Sequence, residues 1–137
     1  MADTVNKPAR SLSPFLTIFR WPVTMATSIV HRATGVGLAG GLAVLVWWLF
    51  AVSNGQETYG FFYRIAITTI GQMFLYGFVW ALCYHFFNGI RHLAWDAGYG
   101  FSLRCANRSG FLVAALSLVA AAAIFVVVHF GLGGYYQ

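Results

Sequence analysis

The chain has 137 residues, of which 60% are hydrophobic and only 8% are charged. A soluble domain carries about 25% charged residues, so the composition excludes a water-soluble globular protein and indicates a small membrane protein surrounded by lipid. The formal net charge is +5, but no block rich in lysine and arginine is present, so the charge does not indicate a nucleic-acid partner.

The first predicted element is an N-terminal interfacial segment. Residues 14–22 mix apolar side chains with Arg20 and two prolines, and we expect them to lie along the membrane surface rather than to cross it. Three later stretches, at about 33–53, 65–90 and 109–132, contain no Asp, Glu, Lys or Arg. Each is long enough to cross a hydrocarbon core of about 30 Å. We predict an all-α membrane protein with three transmembrane helices in a single domain, 1–137, joined by short loops.

The basic residues predict the orientation of these spans. Those on one side are Lys7, Arg10, Arg20 and Arg32 before the first span, and Arg91, Arg104 and Arg108 between the second and the third. Arg64 alone lies on the other side. The positive-inside rule therefore predicts that the N-terminus lies in the cytoplasm or its equivalent. We expect a multi-pass protein of the bacterial inner membrane. The mitochondrial inner membrane is the alternative.

A polar cluster ends the second span. Residues 65–84 contain no ionisable Asp, Glu, Lys, Arg or His, and then His85, Gly89, His92 and Asp96 follow at spacings that put them on one helical face. A histidine inside a membrane helix is costly, so it is a hypothesis for a functional site. We expect Asp96 to orient Arg91 or another basic residue or to belong to a proton path; the alternative is a charge at the helix end that faces water.

A second polar face lies around the start of the first span, at the same membrane depth. It consists of Ser28, His31, Arg32 and Gly35, spaced for one side of a helix. We expect His85 to bind haem iron and Gly89 to leave room for a flat macrocycle. Arg32, His31, Arg91 and His92 would lie shallower, near haem propionates or a polar head group. The competing interpretation is a structural histidine that hydrogen-bonds a neighbour.

His129 cannot complete the same iron site. It follows the start of the third span by about 20 residues, or roughly 30 Å, and so lies near the opposite face of the membrane. A haem with two axial histidines would therefore take its second ligand from another polypeptide.

Three motifs carry a resemblance to a known family. Residues 10–14 (RSLSP), 28–35 (SIVHRATG) and 85–96 (HFFNGIRHLAWD) closely resemble the cytochrome b subunits of succinate dehydrogenase, respiratory complex II. Phe15 stands where this family often has a histidine, which removes one polar group from the inner surface.

The resemblance implies the large membrane anchor of a succinate:quinone oxidoreductase of the tricarboxylic acid cycle and electron transport, not catalytic alone. The implied partners are a flavoprotein with FAD, an iron–sulfur protein, and a second small anchor that supplies the other haem ligand and completes a heterodimeric haem-binding bundle. The implied cofactor is haem b, with His85 as axial ligand and His31 and His92 near the propionates. The implied substrate is ubiquinone, bound by Ser28 and Arg32.

Two rival interpretations stay open. A fumarate reductase-type anchor would share the fold and oxidise quinol. A small transporter or structural membrane subunit would have no redox role and would bind no haem.

Overall fold

The computed structural model describes residues 21–131, and this part of the chain is helical apart from short connections. The helices are α1 (Val23–Ser53), α2 (Gln56–Ala66), α3 (Thr69–Asp96) and α4 (Leu103–Val126), and a π-helical turn, Val127–Gly131, continues α4. The predicted interfacial segment lies outside the described residues except for its last two positions.

Three of these elements are long and apolar enough to cross a membrane: α1, α3, and α4 with its π-helical turn. They confirm the prediction of an all-α protein with three transmembrane helices. Helices α1 and α4 begin before their predicted spans, because polar residues at their N-terminal ends continue the same helix. Helix α3 begins at Thr69, after the predicted start near residue 65, and continues past residue 90 to Asp96. In particular, α1 begins at Val23 rather than near residue 33, so Ser28, His31 and Arg32 lie on the helix.

The loop expected at residues 54–64 is wrong, because most of this segment forms α2. Gly55, with φ of 93°, lets the chain reverse direction after α1. Glu57 in the first turn of α2 and Arg64 in its last turn complement the helix dipole. Phe62 of α2 packs edge-to-face on Trp47 of α1 at a centroid distance of 4.9 Å. Helix α2 is thus an aromatic-rich element folded against the end of α1.

The connection between α3 and α4 is a short turn. Gly98 and Gly100 both have positive φ, of 88° and 83°. The hydroxyl of Ser102 then caps α4 by accepting from the backbone N–H of Cys105 at 3.3 Å. The turn places the start of α4 beside the end of α3.

The core lies where the start of α1, the end of α3 and the start of α4 meet. Gly110 permits the close approach, since a Cβ atom there would lie 3.1 Å from Val23 and 3.3 Å from Thr27. Five of the buried side chains are polar or charged: Thr27, Thr34, Asn88, Arg91 and Ser117. Many large apolar side chains face outward, as in a protein whose solvent is lipid. The interior is therefore more polar than the surface around it.

Candidate functional site

Arg91 holds the three helices together at the core. Only 6% of its surface is exposed. Its guanidinium donates to four oxygens: Ser109 Oγ at 2.9 Å, Thr27 Oγ1 at 3.0 Å, Asn88 Oδ1 at 3.2 Å and the carbonyl of Ala106 at 2.8 Å. One acceptor belongs to α1, one to α3 and two to α4. Arg91 is therefore a buried cation whose positive charge is solvated by neutral oxygens of the bundle.

The expectation that Arg91 meets a propionate or a head group is wrong. Four of its donor contacts end inside the bundle, and its guanidinium lies 4.2 Å from the ring centroid of Trp95. Asp96 is exposed and is not one of its hydrogen-bond partners. The depth of Arg91 along α3 could be predicted from its position in the chain, but the direction of its side chain depends on how α4 packs.

The three histidines predicted for the site lie together, outside the Arg91 cluster. The rings of His31 and His85 stack at 4.0 Å with an interplanar angle of 10°. The ring of His92 lies 5.1 Å from that of His31. All three side chains are half-buried, so the group sits at the edge of the bundle. The turn-by-turn spacing on α1 and α3 thus produces one histidine cluster.

Two residues of α1 hold the ring of His85. Thr34 Oγ1 lies 3.4 Å from His85 Nδ1 and donates its own proton to the carbonyl of His31 at 2.9 Å. Gly35 makes the approach possible, because a Cβ atom there would lie only 3.2 Å from His85 Cε1. The ring is therefore contacted on its Nδ1 and Cε1 side by α1.

The cluster fits a flat cofactor with one axial histidine. Among the described residues, His85 Nε2 makes no hydrogen bond, and a Cβ atom on Gly89 would meet nothing within 4 Å. The buried Nδ1 of His31 likewise has no hydrogen-bond partner in residues 21–131. No group of three His, Cys, Asp or Glu side chains in the described part could hold a bare metal ion. One imidazole beside an open glycine surface suits haem better than a protein-only metal centre.

Asn88 connects the Arg91 cluster to the histidines. Its Oδ1 accepts from Arg91, which can only donate, so its amide nitrogen must be the atom that lies 3.3 Å from His92 Nε2. His92 Nε2 then accepts, and the N–H of a neutral ring is on Nδ1. His92 can therefore offer a donor to an anionic group such as a carboxylate.

The predicted quinone pair lies on α1 beside this cluster. Ser28 is half-buried, and Arg32, one turn later, is exposed. The structure gives no hydrogen bond between either side chain and the three histidines within the described region. The guanidinium of Arg91 is buried in the core, whereas that of Arg32 is exposed and can bind a ligand from outside the bundle.

His129 lies elsewhere, as expected. The hydroxyl oxygen of Tyr76 lies 3.1 Å from a ring nitrogen of His129, and the ring of His129 stacks on Phe125 at a centroid distance of 4.5 Å. Tyr76 precedes His85 by about 14 Å along α3 at 1.5 Å per residue, so His129 is remote from the histidine cluster. An open, mostly apolar cavity of about 360 Å³ adjoins His129. We do not choose this cavity as the functional site on its size, because the polar side chains that converge lie at the opposite end of the helix bundle.

Sequence reasoning missed four residues that organise the site: Thr27, Thr34, Tyr84 and Asn88. Tyr84, for example, donates its buried hydroxyl to the carbonyl of Thr27 at 3.0 Å. The available signal was the presence of polar side chains within or just before otherwise apolar spans, each next to a histidine or one turn from it. Their partners could not be deduced without the relative rotation of the helices.

Comparison with known proteins gives a consistent picture. Residues 6–130 match the model of the family described as succinate dehydrogenase/fumarate reductase transmembrane subunit. The chain is 43% identical over 110 residues to the succinate dehydrogenase cytochrome b556 subunit of Rickettsia typhi, covering 80% of this chain and 86% of that protein. It is 38% identical over 127 residues to the corresponding subunit of Paracoccus denitrificans, covering 93% and 97%. The mitochondrial cytochrome b560 subunit of Sus scrofa is 35% identical over 114 residues, with 80% and 66% covered.

Proposed function

Because this chain belongs to the succinate dehydrogenase/fumarate reductase transmembrane subunit family, we propose that it is the large cytochrome b anchor of a succinate:quinone oxidoreductase. It is a membrane subunit of an enzyme and does not oxidise succinate alone. A flavoprotein with FAD and an iron–sulfur protein would deliver electrons to it. The observation that carries the proposal is the His31–His85 stack beside Gly89, a half-buried cluster with an open side.

We assign His85 Nε2 as the iron ligand that this chain contributes to haem b. Gly89, one turn further, leaves the flat surface on which the macrocycle would rest. His31 and His92 would face the propionates, and the donor at Nδ1 of His92 suits a carboxylate. When bound, haem supplies a one-electron redox centre within the membrane. The second axial ligand would come from a second small anchor that covers the half-buried face of the histidines.

Ser28 and Arg32 are assigned to the quinone. Reduction of a quinone takes two electrons and two protons, so negative charge develops on its carbonyl oxygens. The hydroxyl of Ser28 can donate a hydrogen bond, and the guanidinium of Arg32 can stabilise that charge while it stays protonated. The site lies near the membrane surface, where a lipid-soluble quinone, proposed here as ubiquinone, would meet water-borne protons.

The proposed location is a bacterial inner membrane with the N-terminus in the cytoplasm. The arginines Arg32, Arg104 and Arg108 are exposed at the end of the bundle that holds the histidine cluster, and Arg64 is exposed on α2 after the first span. This asymmetry supports the orientation through the positive-inside rule. The quinone site would then face the side on which the soluble subunits bind.

The test is a dithionite-reduced minus oxidised absorbance spectrum of the purified complex, with wild type beside His85→Ala. We expect a low-spin b-type signal that is lost or altered in His85→Ala and retained in the matched control His129→Ala. An unchanged spectrum in His85→Ala would place the haem on other residues. A fully assembled wild-type complex without any haem signal would favour a structural subunit instead.

A further inference from the structure

We propose that Thr34 is a positioning residue for His85: its hydroxyl oxygen accepts from Nδ1–H and leaves Nε2 unprotonated and directed away from α1. This inference rests on the proposed role of His85 as an iron ligand. It adds a residue outside the predicted site, on a different helix from the ligand that it orients.

The hydrogen-bond roles follow from the few protons available. The hydroxyl of Thr34 has one proton, and the carbonyl of His31 takes it at 2.9 Å. The oxygen of Thr34 is then left as an acceptor, with His85 Nδ1 at 3.4 Å. Thr34 is buried, with 6% of its surface exposed, so bulk water does not compete for this oxygen. A neutral His85 in this place therefore carries its proton on Nδ1.

Two neighbours on the same face of α1 complete the support. His31, one turn before Thr34, stacks on the ring at 4.0 Å and nearly parallel to it, which opposes rotation out of the plane. Gly35, next in the sequence, leaves the gap into which Cε1 fits. The ring is thus held at its edge by Thr34, on its face by His31 and near Cε1 by Gly35.

The hydrogen bond has an electronic consequence. An imidazole that donates its second N–H to an acceptor is more basic at the metal-binding nitrogen, and such partners tune the properties of the metal. A stronger nitrogen donor stabilises ferric over ferrous iron. Removing the acceptor should therefore move the midpoint potential of the haem in the positive direction.

The experiment compares variants of the assembled four-subunit complex. Thr34→Val removes the hydroxyl at nearly constant shape, whereas Thr34→Ser retains it. Haem potential is measured by optical redox titration, and the g-values of the low-spin ferric signal are measured by electron paramagnetic resonance. We expect a positive shift in potential and altered g-values in Thr34→Val, and values near wild type in Thr34→Ser. Ser117→Ala, which removes another buried hydroxyl, should leave both unchanged.

Several outcomes would overturn the inference. Thr34→Val with wild-type potential and g-values contradicts it, as does a Thr34→Ser variant that shifts as much as Thr34→Val. If the valine variant does not assemble, Thr34→Ala removes the same hydroxyl and carries the same expectation. Failure of the proposed function has a different signature, because either His85→Ala would leave the haem spectrum intact or the assembled wild-type complex would show no haem signal.

Discussion

Arg91 is a buried cation, and we predict that removing two of its hydrogen-bond acceptors destabilises the protein more than removing the same acceptors together with the cation. The perturbation is the double variant Thr27→Val, Ser109→Ala, which deletes two of the four acceptors and changes side-chain volume little. Each lost hydrogen bond to a charged group costs about 1.5 to 3 kcal/mol, so the double variant should lose about 3 to 6 kcal/mol. The reason is that a buried cation keeps its desolvation cost while losing its partners.

Adding Arg91→Met should then recover part of that loss. The thioether side chain fills similar space without a charge, and Asn88 Oδ1 becomes the principal orphaned acceptor, at about 1 to 3 kcal/mol. The carbonyl of Ala106 no longer receives the hydroxyl of Ser109 in this background, which adds to the residual cost. We therefore expect the triple variant to lie between the double variant and wild type.

The assay is denaturant unfolding of the purified complex in mild detergent, followed by far-ultraviolet circular dichroism. Ser117→Ala is the matched control, because this buried hydroxyl donates to the carbonyl of Ala114 and is not one of the hydrogen-bond partners of Arg91. Its loss should cost about 1 kcal/mol. The reasoning is refuted if the double variant is no less stable than Ser117→Ala. It is also refuted if adding Arg91→Met makes the triple variant less stable than the double variant.

Two more pairs of substitutions test function and packing separately. Arg32→Leu should lower quinone reductase activity about 100-fold, the usual effect of losing a group that stabilises developing charge, while haem content per flavin stays near wild type. The control is Arg104→Leu, which removes an exposed arginine of α4. Equal activity in the two variants would contradict the role of Arg32. Gly41→Ala should destabilise the bundle, because the new methyl group would collide with the ring of Phe78. Gly40→Ala meets nothing within 4 Å and should instead stabilise α1 by about 0.5 to 1 kcal/mol; thermal unfolding that ranks the two variants the other way would refute this assignment.

The membrane architecture could be predicted because long apolar stretches have few folding options in lipid. Composition and hydropathy were sufficient for three spans, whereas α2 was missed, since its sequence is polar enough to resemble a loop and its packing on Trp47 depends on tertiary structure. The grouping of His31, His85 and His92 followed from helical spacing and shared depth. Their functional roles stay predictions.

The direction of each polar side chain was harder to predict. Arg91 and His92 are neighbours in sequence, yet one is buried among three helices and the other lies with the histidines at the edge of the bundle. A helix turns by about 100° per residue, so the environments of two neighbouring residues cannot be assigned until the rotation of the helix about its axis is known. Thr34 was missed for the same reason, because its partner is on another helix.

The polar core has a consequence for biogenesis. Helix α3 enters the membrane before α4 has been synthesised, and α4 supplies two of the four oxygens around the guanidinium of Arg91. Until α4 arrives, that cation must remain near the lipid head groups, where water can solvate it. The arrival of α4 then allows it to be withdrawn from water. The same arginine that closes the finished bundle thus gives the chain that lacks α4 a water-exposed charge, which the complete bundle buries.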